Sequence, residues 1–184
     1  MNKAILSVLG QDRPGIVAAI SKILLQQNCN IENVSQTRLQ SEFAGIFIVA
    51  MPEALSLETL KDCLIDELQY LDMHVQIKPL QTQDSAGPSA KFESFVITTK
   101  GPDRKGLVAG ITEVLATHGA NITNLQAVFK GGEEPGDNIM IYEVDVPIDV
   151  EQKILDHELR QRAQELSLEI SIQHRYIFEA INRI

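Results

Sequence analysis

Two loops of this chain carry residue types that together suit a small zwitterion. The first is Gly10-Gln11-Asp12-Arg13-Pro14-Gly15, which follows the apolar run Ala4–Leu9 and precedes a stretch of helical periodicity. A loop that opens a helix presents unbonded backbone N–H groups and the positive end of the helix dipole, a seat for a carboxylate or phosphate. Glycine at positions 10 and 15 permits tight turning and close backbone approach. Asp12 supplies a negative charge, and Asn30, where the chain returns after the helix, supplies an amide with donors and acceptors. An amino acid carries a carboxylate and an ammonium close together. The helix N–H groups suit the first, and Asp12 with the Asn30 amide suits the second. Plain structural roles are open to the same residues: a helix cap for Asp12, a solvated charge for Arg13, a turn for Asn30.

The set occurs twice. Gly101-Pro102-Asp103-Arg104-Lys105-Gly106 repeats the first loop and Asn121 repeats Asn30, at a constant offset of 91. The offset holds without a gap through Ile20/Ile111, Leu24/Leu115, Ile31/Ile122 and Asn33/Asn124. A self-match at one spacing means two copies of one structural unit.

Each copy reads as strand, helix, strand, strand, helix, strand. Ala4–Leu9 has the composition of a buried strand. Ile16, Val17, Ile20, Ile23 and Leu24 fall on one helical face, with Asp12 as the expected cap and Pro14 in the expected first turn. Strands are expected over Asn30–Leu39 and Ala44–Met51, joined by Gln40-Ser41-Glu42. A second helix starts near Ser56, with Leu57, Leu60, Leu64, Leu68 and Leu71 on one face, and His74–Leu80 closes the unit. In the second copy the hairpin loop is enlarged over Gly131–Asp137. Met140, Tyr142, Val144 and Val146 then alternate with Ile139, Ile141, Glu143 and Asp145, so one face is buried. Asp149 is the expected cap of a helix over 150–166, and Leu168–Phe178 the expected last strand. Residues 81–90 lack Leu, Ile, Val and aromatics and read as a linker between units 1–80 and 91–184. The βαββαβ order, met twice, predicts an α+β fold: two ferredoxin-like units, each an antiparallel sheet with helices on one face.

Composition narrows the function. The net charge of −9 is spread along the chain with no basic arm, so no phosphate-neutralising footprint points to direct nucleic-acid binding. Aromatics make up only 5% and Trp is absent, which argues against an RNA-stacking sheet. No run approaches the roughly 20 apolar residues of a membrane span. Met1-Asn2-Lys3 leads into an apolar run too short for a signal peptide. Cys29 and Cys63 have no metal-ligand spacing and read as reduced, mostly buried small hydrophobes, so the cytoplasm is the expected compartment. The four His read as structural or surface residues, His118 and His174 lying near element ends without evident partners. No metal or cofactor site and no catalytic set is expected.

Asp12-Arg13-Pro14-Gly15-Ile16-Val17, a helix, then Asn28-Cys29-Asn30-Ile31 within a βαββαβ unit resembles the ACT domain, a small-molecule-sensing regulatory module. Residues 3–80 and 91–178 both fit, and the tandem pair resembles the glycine cleavage system transcriptional repressor group. The resemblance implies an amino-acid ligand where two units meet, between the first loop of one and the second-strand Asn side of the other. It implicates Gly10, Asp12, Gly15, Asn30 and Ile31, with Gly101, Asp103, Gly106, Asn121 and Ile122; Arg13 joins them from the same loop. Lys105 in place of Pro14 leaves the second loop less preorganised and more positive, and the Asp12/Asp103 position is often Asn in serine-binding members.

The implied function is a non-enzymatic regulator. It senses an amino acid of the glycine or serine class and controls transcription of amino-acid metabolism through a DNA-binding protein partner, with a homodimer possible. Exposed sheet edges on such small units predict edge-to-edge packing. A reading from another class is an acylphosphatase-like hydrolase, which uses the same fold with one Arg and one Asn. Arg13 with Asn30, or Arg104 with Asn121, would then hold a phosphate and position a water, although the loop lacks that family's phosphate-cradling sequence.

Overall fold

The computed structural model describes residues 2–81, 91–129 and 138–182. The chain divides into two compact units, 1–84 and 85–184. The first is built from β1 (Asn2–Gln11), α1 (Ile16–Gln26), β2 (Asn30–Leu39), β3 (Glu42–Met51), α2 (Leu57–Leu68), a 3-10 turn (Gln69–Leu71) and β4 (His74–Pro79). The second has β5 (Phe92–Gly101), α3 (Leu107–Thr117), β6 (Asn121–Phe129), β7 (Asn138–Pro147), α4 (Gln152–Glu165), β8 (Glu169–His174) and α5 (Arg175–Asn182). The two sheets are antiparallel, ordered β2-β3-β1-β4 and β6-β7-β5-β8. The twice-repeated βαββαβ order therefore gives two ferredoxin-like units.

Alternation builds each core. On β1, Ala4, Leu6, Val8 and Gly10 are buried; on β3, Phe43, Gly45, Phe47 and Val49 are. Pleating turns each such set to one face. Against it pack Ile16, Ile20, Ile23 and Leu24 of α1 and Leu60, Leu64 and Leu68 of α2, with Leu57 partly buried beside them. In the second core Met140, Tyr142, Val144 and Val146 are all buried, as their alternation predicts. Helix α1 ends at Asn28, which adopts the left-handed conformation (φ 53°), and Cys29 N–H donates to the Leu24 carbonyl at 2.8 Å. That pairing closes a helix by satisfying an orphan carbonyl. Gly119 (φ 65°) does the same for α3, with Ala120 N–H donating to Leu115 at 2.9 Å. Asn28 in the Asn28-Cys29-Asn30-Ile31 run is thus there for the chain reversal.

Several expectations are corrected. Asp12 does not cap α1: the N-cap is Gly15, left-handed at φ 98°, with no side-chain cap. Pro14 lies in the turn before the helix, not in its first turn. Asp149 does not cap α4, whose N-cap is Glu151, again without a side-chain bond. Ser56 does cap α2, accepting from Thr59 N–H at 3.0 Å. The last strand stops at His174, and α5 takes over the stretch assigned to Phe178. There the apolar spacing changes from two to the Ile177, Phe178, Ile181 of a helical stripe. The enlarged loop Gly131–Asp137 and the linker beyond Gln81 lie outside the described residues. Among the described residues, no helix is long and apolar enough to cross a membrane.

Candidate functional site

In the first unit the β1–α1 loop folds over the far end of β2. Asp12 N–H donates to the Ser41 carbonyl at 2.7 Å, tying the loop to the β2–β3 turn. Arg13-Pro14-Gly15-Ile16 has the form of a type II turn, since Gly15 at φ 98° and ψ −7° matches its third position and proline suits its second. No atom lies within 4 Å of a Cβ built on Gly15 or on Gly106, so glycine is needed there for its backbone angles alone. Gly10 differs: a Cβ would meet Met73 Sδ at 2.8 Å and the Asp72 carbonyl at 3.0 Å. The close approach that demands glycine at 10 is made by the protein's own chain. Gly101 meets Leu168 and the Ser167 carbonyl in the same way, at 2.7 and 2.8 Å.

A groove of about 400 Å³ opens at this loop, walled by Asp12, Arg13, Gly15, Gln36, Arg38 and Phe43 among others. The Asp12 carboxylate is one-third exposed and lies 3.7 Å from the Arg38 guanidinium. Arg13 donates to the Gln11 side chain at 2.9 Å. Because Gly15 offers no side-chain cap, the first N–H groups of α1 face the groove without one. One groove therefore combines an anion seat (helix N-terminus, Arg13, Arg38) with one carboxylate. Gln36, Arg38 and Phe43 were not expected from sequence. Their signal was the pairing register, in which Arg38 and Gly10 are both partnered by Phe43.

The register separates Asn30 from this groove. Asn30 is paired with Ala50, whose other neighbour is Lys3, whereas Gly10 is paired with Phe43. The seven steps along β3 from Phe43 to Ala50 put Asn30 roughly 24 Å from the loop of its own unit. In the second unit Asn121 is partnered by Asp145 and Gly101 by Asn138, the same separation. Asp12 and the Asn30 amide thus cannot share one small ligand within a unit. The hydrolase reading loses its geometry too, because Arg13 and Asn30 stand at opposite ends of the sheet. Asn30 and Asn121 are exposed, and Ile31 and Ile122 half-buried at the edge strands. Strands β2 and β6 carry the same bulge, at Ile31/Asn33 and at Ile122/Asn124.

The second loop is more open. Asp103, Arg104, Lys105 and Gly106 are all exposed. Beneath it, on the helix-facing side of the sheet, Asn138 is buried with neither amide atom hydrogen-bonded among the described residues. Another cleft in this unit, of about 510 Å³ and largely apolar, lies between α4 and the sheet beside Phe95, Val146, Leu155 and Ile172. It includes none of the expected site residues.

Among the described residues no group of three His, Cys, Asp or Glu side chains gathers to hold a metal. Cys29 is buried, which pushes its thiol up from the usual range. Two His do have partners, against expectation: His118 Nε2 meets Glu158 at 2.9 Å, and His174 stacks on Tyr176.

Comparison with known proteins fits this architecture twice over. The family model for the ACT domain matches residues 2–78 and again 93–173. The chain belongs to the ACT-domain family. A UPF0237 protein of Methanopyrus kandleri is 50% identical over 54 residues, 29% of this chain and 60% of that relative. The chain thus spans less than two thirds of that relative's length. A UPF0237 protein of Pyrobaculum aerophilum is 40% identical over 78 residues, 42% of this chain and 87% of the relative. Both ACT units together resemble a crystal structure of an unknown protein from Galdieria sulphuraria, at 25% identity and a TM-score of 0.76, covering 94% of this chain and 98% of that one. They also share the fold of a protein provisionally named a glycine cleavage system transcriptional repressor, at 17% identity and a TM-score of 0.70, covering 94% and 96%.

Proposed function

We propose that this tandem ACT protein is a non-enzymatic regulator that binds a small amino acid of the glycine or serine class. The observation that carries the reading is the zwitterionic character of the β1–α1 groove. An uncapped helix N-terminus with Arg13 and Arg38 suits a carboxylate, and Asp12 suits an ammonium. A ligand seated there needs a second wall. Asn30 or Asn121 supplies it from another ACT unit, since neither is within reach of the loop in its own unit. The site residues on this reading are Gly10, Asp12, Arg13, Gly15, Asn30 and Ile31, with Gly101, Asp103, Gly106, Asn121 and Ile122 as the second set.

The signal then passes to a DNA-binding protein partner that controls genes of amino-acid metabolism, inside the cytoplasm. A charge of −9 without a basic arm favours an indirect route to DNA. The shared fold of the glycine cleavage system transcriptional repressor supports the same class of role.

Calorimetric titration with the twenty amino acids tests the reading. One selective ligand is expected, and Asn30→Ala weakens it by about 1–3 kcal/mol, the cost of a hydrogen-bond partner lost from a closed site. Asn121→Ala reports on the second site, with a smaller effect expected beside the looser Lys105 loop. Unchanged affinity in both variants rejects the site, and no ligand at millimolar concentration rejects the function.

A further inference from the structure

The two units are copies, yet the second has polar groups where the first has a dry core. Val8 and Thr99 correspond at the offset of 91, and both are buried. Phe43 faces Gly10 across β1 and β3, and Asn138 faces Gly101 across β5 and β7, so Asn138 stands where Phe43 does. By the same register Phe47 faces Leu6 and Tyr142 faces Ile97, making Tyr142 the counterpart of Phe47. Val8, Phe43 and Phe47 have thus become Thr99, Asn138 and Tyr142. All six point to the helix side of their sheets, and Thr99 lies between the other two, paired with Met140.

None of the three polar groups is properly satisfied by protein. Thr99 is 0% exposed and Asn138 3%, and among the described residues Thr99 Oγ1, Asn138 Oδ1 and Asn138 Nδ2 have no hydrogen-bond partner. The Tyr142 hydroxyl donates to Met140 Sδ, a weak acceptor, at 3.4 Å. Burial pushes its pKa up to about 12; the nearby Thr99 hydroxyl opposes the shift, but the two groups do not meet in hydrogen-bond geometry. A core gains nothing from such groups, since each is stripped of water without return. Drift in an ordinary core does not replace three adjacent apolar positions with three neutral groups able to both donate and accept. Their place in the fold supplies the reason. Phe43, the counterpart of Asn138, walls the groove at the β1–α1 loop, so Asn138 stands at the equivalent wall under the β5–α3 loop.

We infer that Thr99, Asn138 and Tyr142 are the specificity wall of the second unit's ligand site and that they select an amino acid with a side-chain hydroxyl. This rests on the amino-acid-binding reading given above and goes beyond it by making the two sites unlike. All three groups are neutral, so they suit an uncharged partner that both gives and takes a hydrogen bond, and not a second carboxylate or ammonium. The first unit, with Val8, Phe43 and Phe47, favours a ligand without the hydroxyl.

L-serine and L-alanine differ by that one hydroxyl, and titrating the full chain with each provides the test. Wild-type protein is expected to bind serine at one site about tenfold or more tightly than alanine, as polar pockets discriminate hydroxyls. Thr99→Val and Asn138→Leu are each expected to bring the serine-to-alanine ratio close to one. Their unfolding midpoints stay level or rise, because an unpaired buried polar group is removed. A merely structural role would move the midpoint and not the ratio. Should Asn138→Leu fail to fold, the isosteric Thr99→Val decides alone. A serine preference that survives Thr99→Val overturns this inference and leaves amino-acid binding standing. Failure of wild-type protein to bind either amino acid overturns this inference, and the amino-acid-binding reading falls with it only when none of the other eighteen binds either.

Discussion

At the wall beside the first helix, β3 of the first unit places Phe43 against Gly10, while β7 of the second places Asn138 against Gly101. The neighbouring pairs differ in the same sense, Val8 against Thr99 and Phe47 against Tyr142. The second helices diverge as well: Leu60, Leu64 and Leu68 of α2 correspond to Leu155, Leu159 and Ala163 of α4 at the same spacing. Sheet order, edge-strand bulge and left-handed helix entry are shared. Backbone-determining features have therefore been kept in both copies, and three buried side chains on the helix side of the sheet have been changed. Two copies of one unit bound to one use would have no need of that difference.

The contrast can be probed by moving each unit towards the other. Leu68→Ala, which gives the first unit the smaller residue the second already has, should cost about 2–5 kcal/mol, because the surrounding core cannot collapse onto the gap. Chemical denaturation measures it; a loss below about 1 kcal/mol would mean that α2 packs as loosely as α4. Gly15→Ala and Gly106→Ala should each cost about 1–2 kcal/mol and do so equally, since both glycines are left-handed with open space around them. Unequal losses would show that the two loops differ in backbone strain. Ser56→Ala should remove about 1 kcal/mol from the first unit, and Glu151→Ser should add a similar amount to the second, whose helix lacks a side-chain cap. The smallest effect is a gain: Lys105→Pro should raise the midpoint by an amount worth about 0.4–1 kcal/mol, as Pro14 already occupies the equivalent turn position. A destabilised Lys105→Pro would show that the second turn is held differently.

Much of the fold was legible because its signals are local. Asn30–Leu39 was bounded by Asn28 and the Gln40 turn, and the Leu60/Leu64/Leu68 stripe had the helical period on its face. Legibility failed at element ends, where two local chemistries compete. Asp12 has the side chain of a cap, but the following Pro-Gly turn delays the helix to Ile16 and moves the cap to Gly15. His174 could continue a strand, but the apolar spacing after it is helical.

The site was only half legible. The loop residues were found from their repetition, but their neighbours Gln36, Arg38 and Phe43 were not, since they are brought there by strand register across some 25 residues of sequence. Along the chain Asn30 stands close to the loop, because only a helix separates them. A helix of 11 residues carries the chain about 16 Å along the sheet, so β2 begins at the far end.

By itself, the sequence determined that there are two units, that each is βαββαβ, and which residues form most of each core, although Val17, on the expected helical face, is exposed. Periodicity and repetition are properties of neighbouring positions and survive without coordinates. Only the tertiary structure decided that Gly10 and Gly101 serve close packing while Gly15 and Gly106 serve a left-handed turn. Only it decided that the loop and the Asn lie apart, and that Asn138 meets no hydrogen-bond partner among the described residues where Phe43 meets a core. Those facts depend on which residues face each other across strands. Pairing register fixes that, and no window along the chain contains both partners.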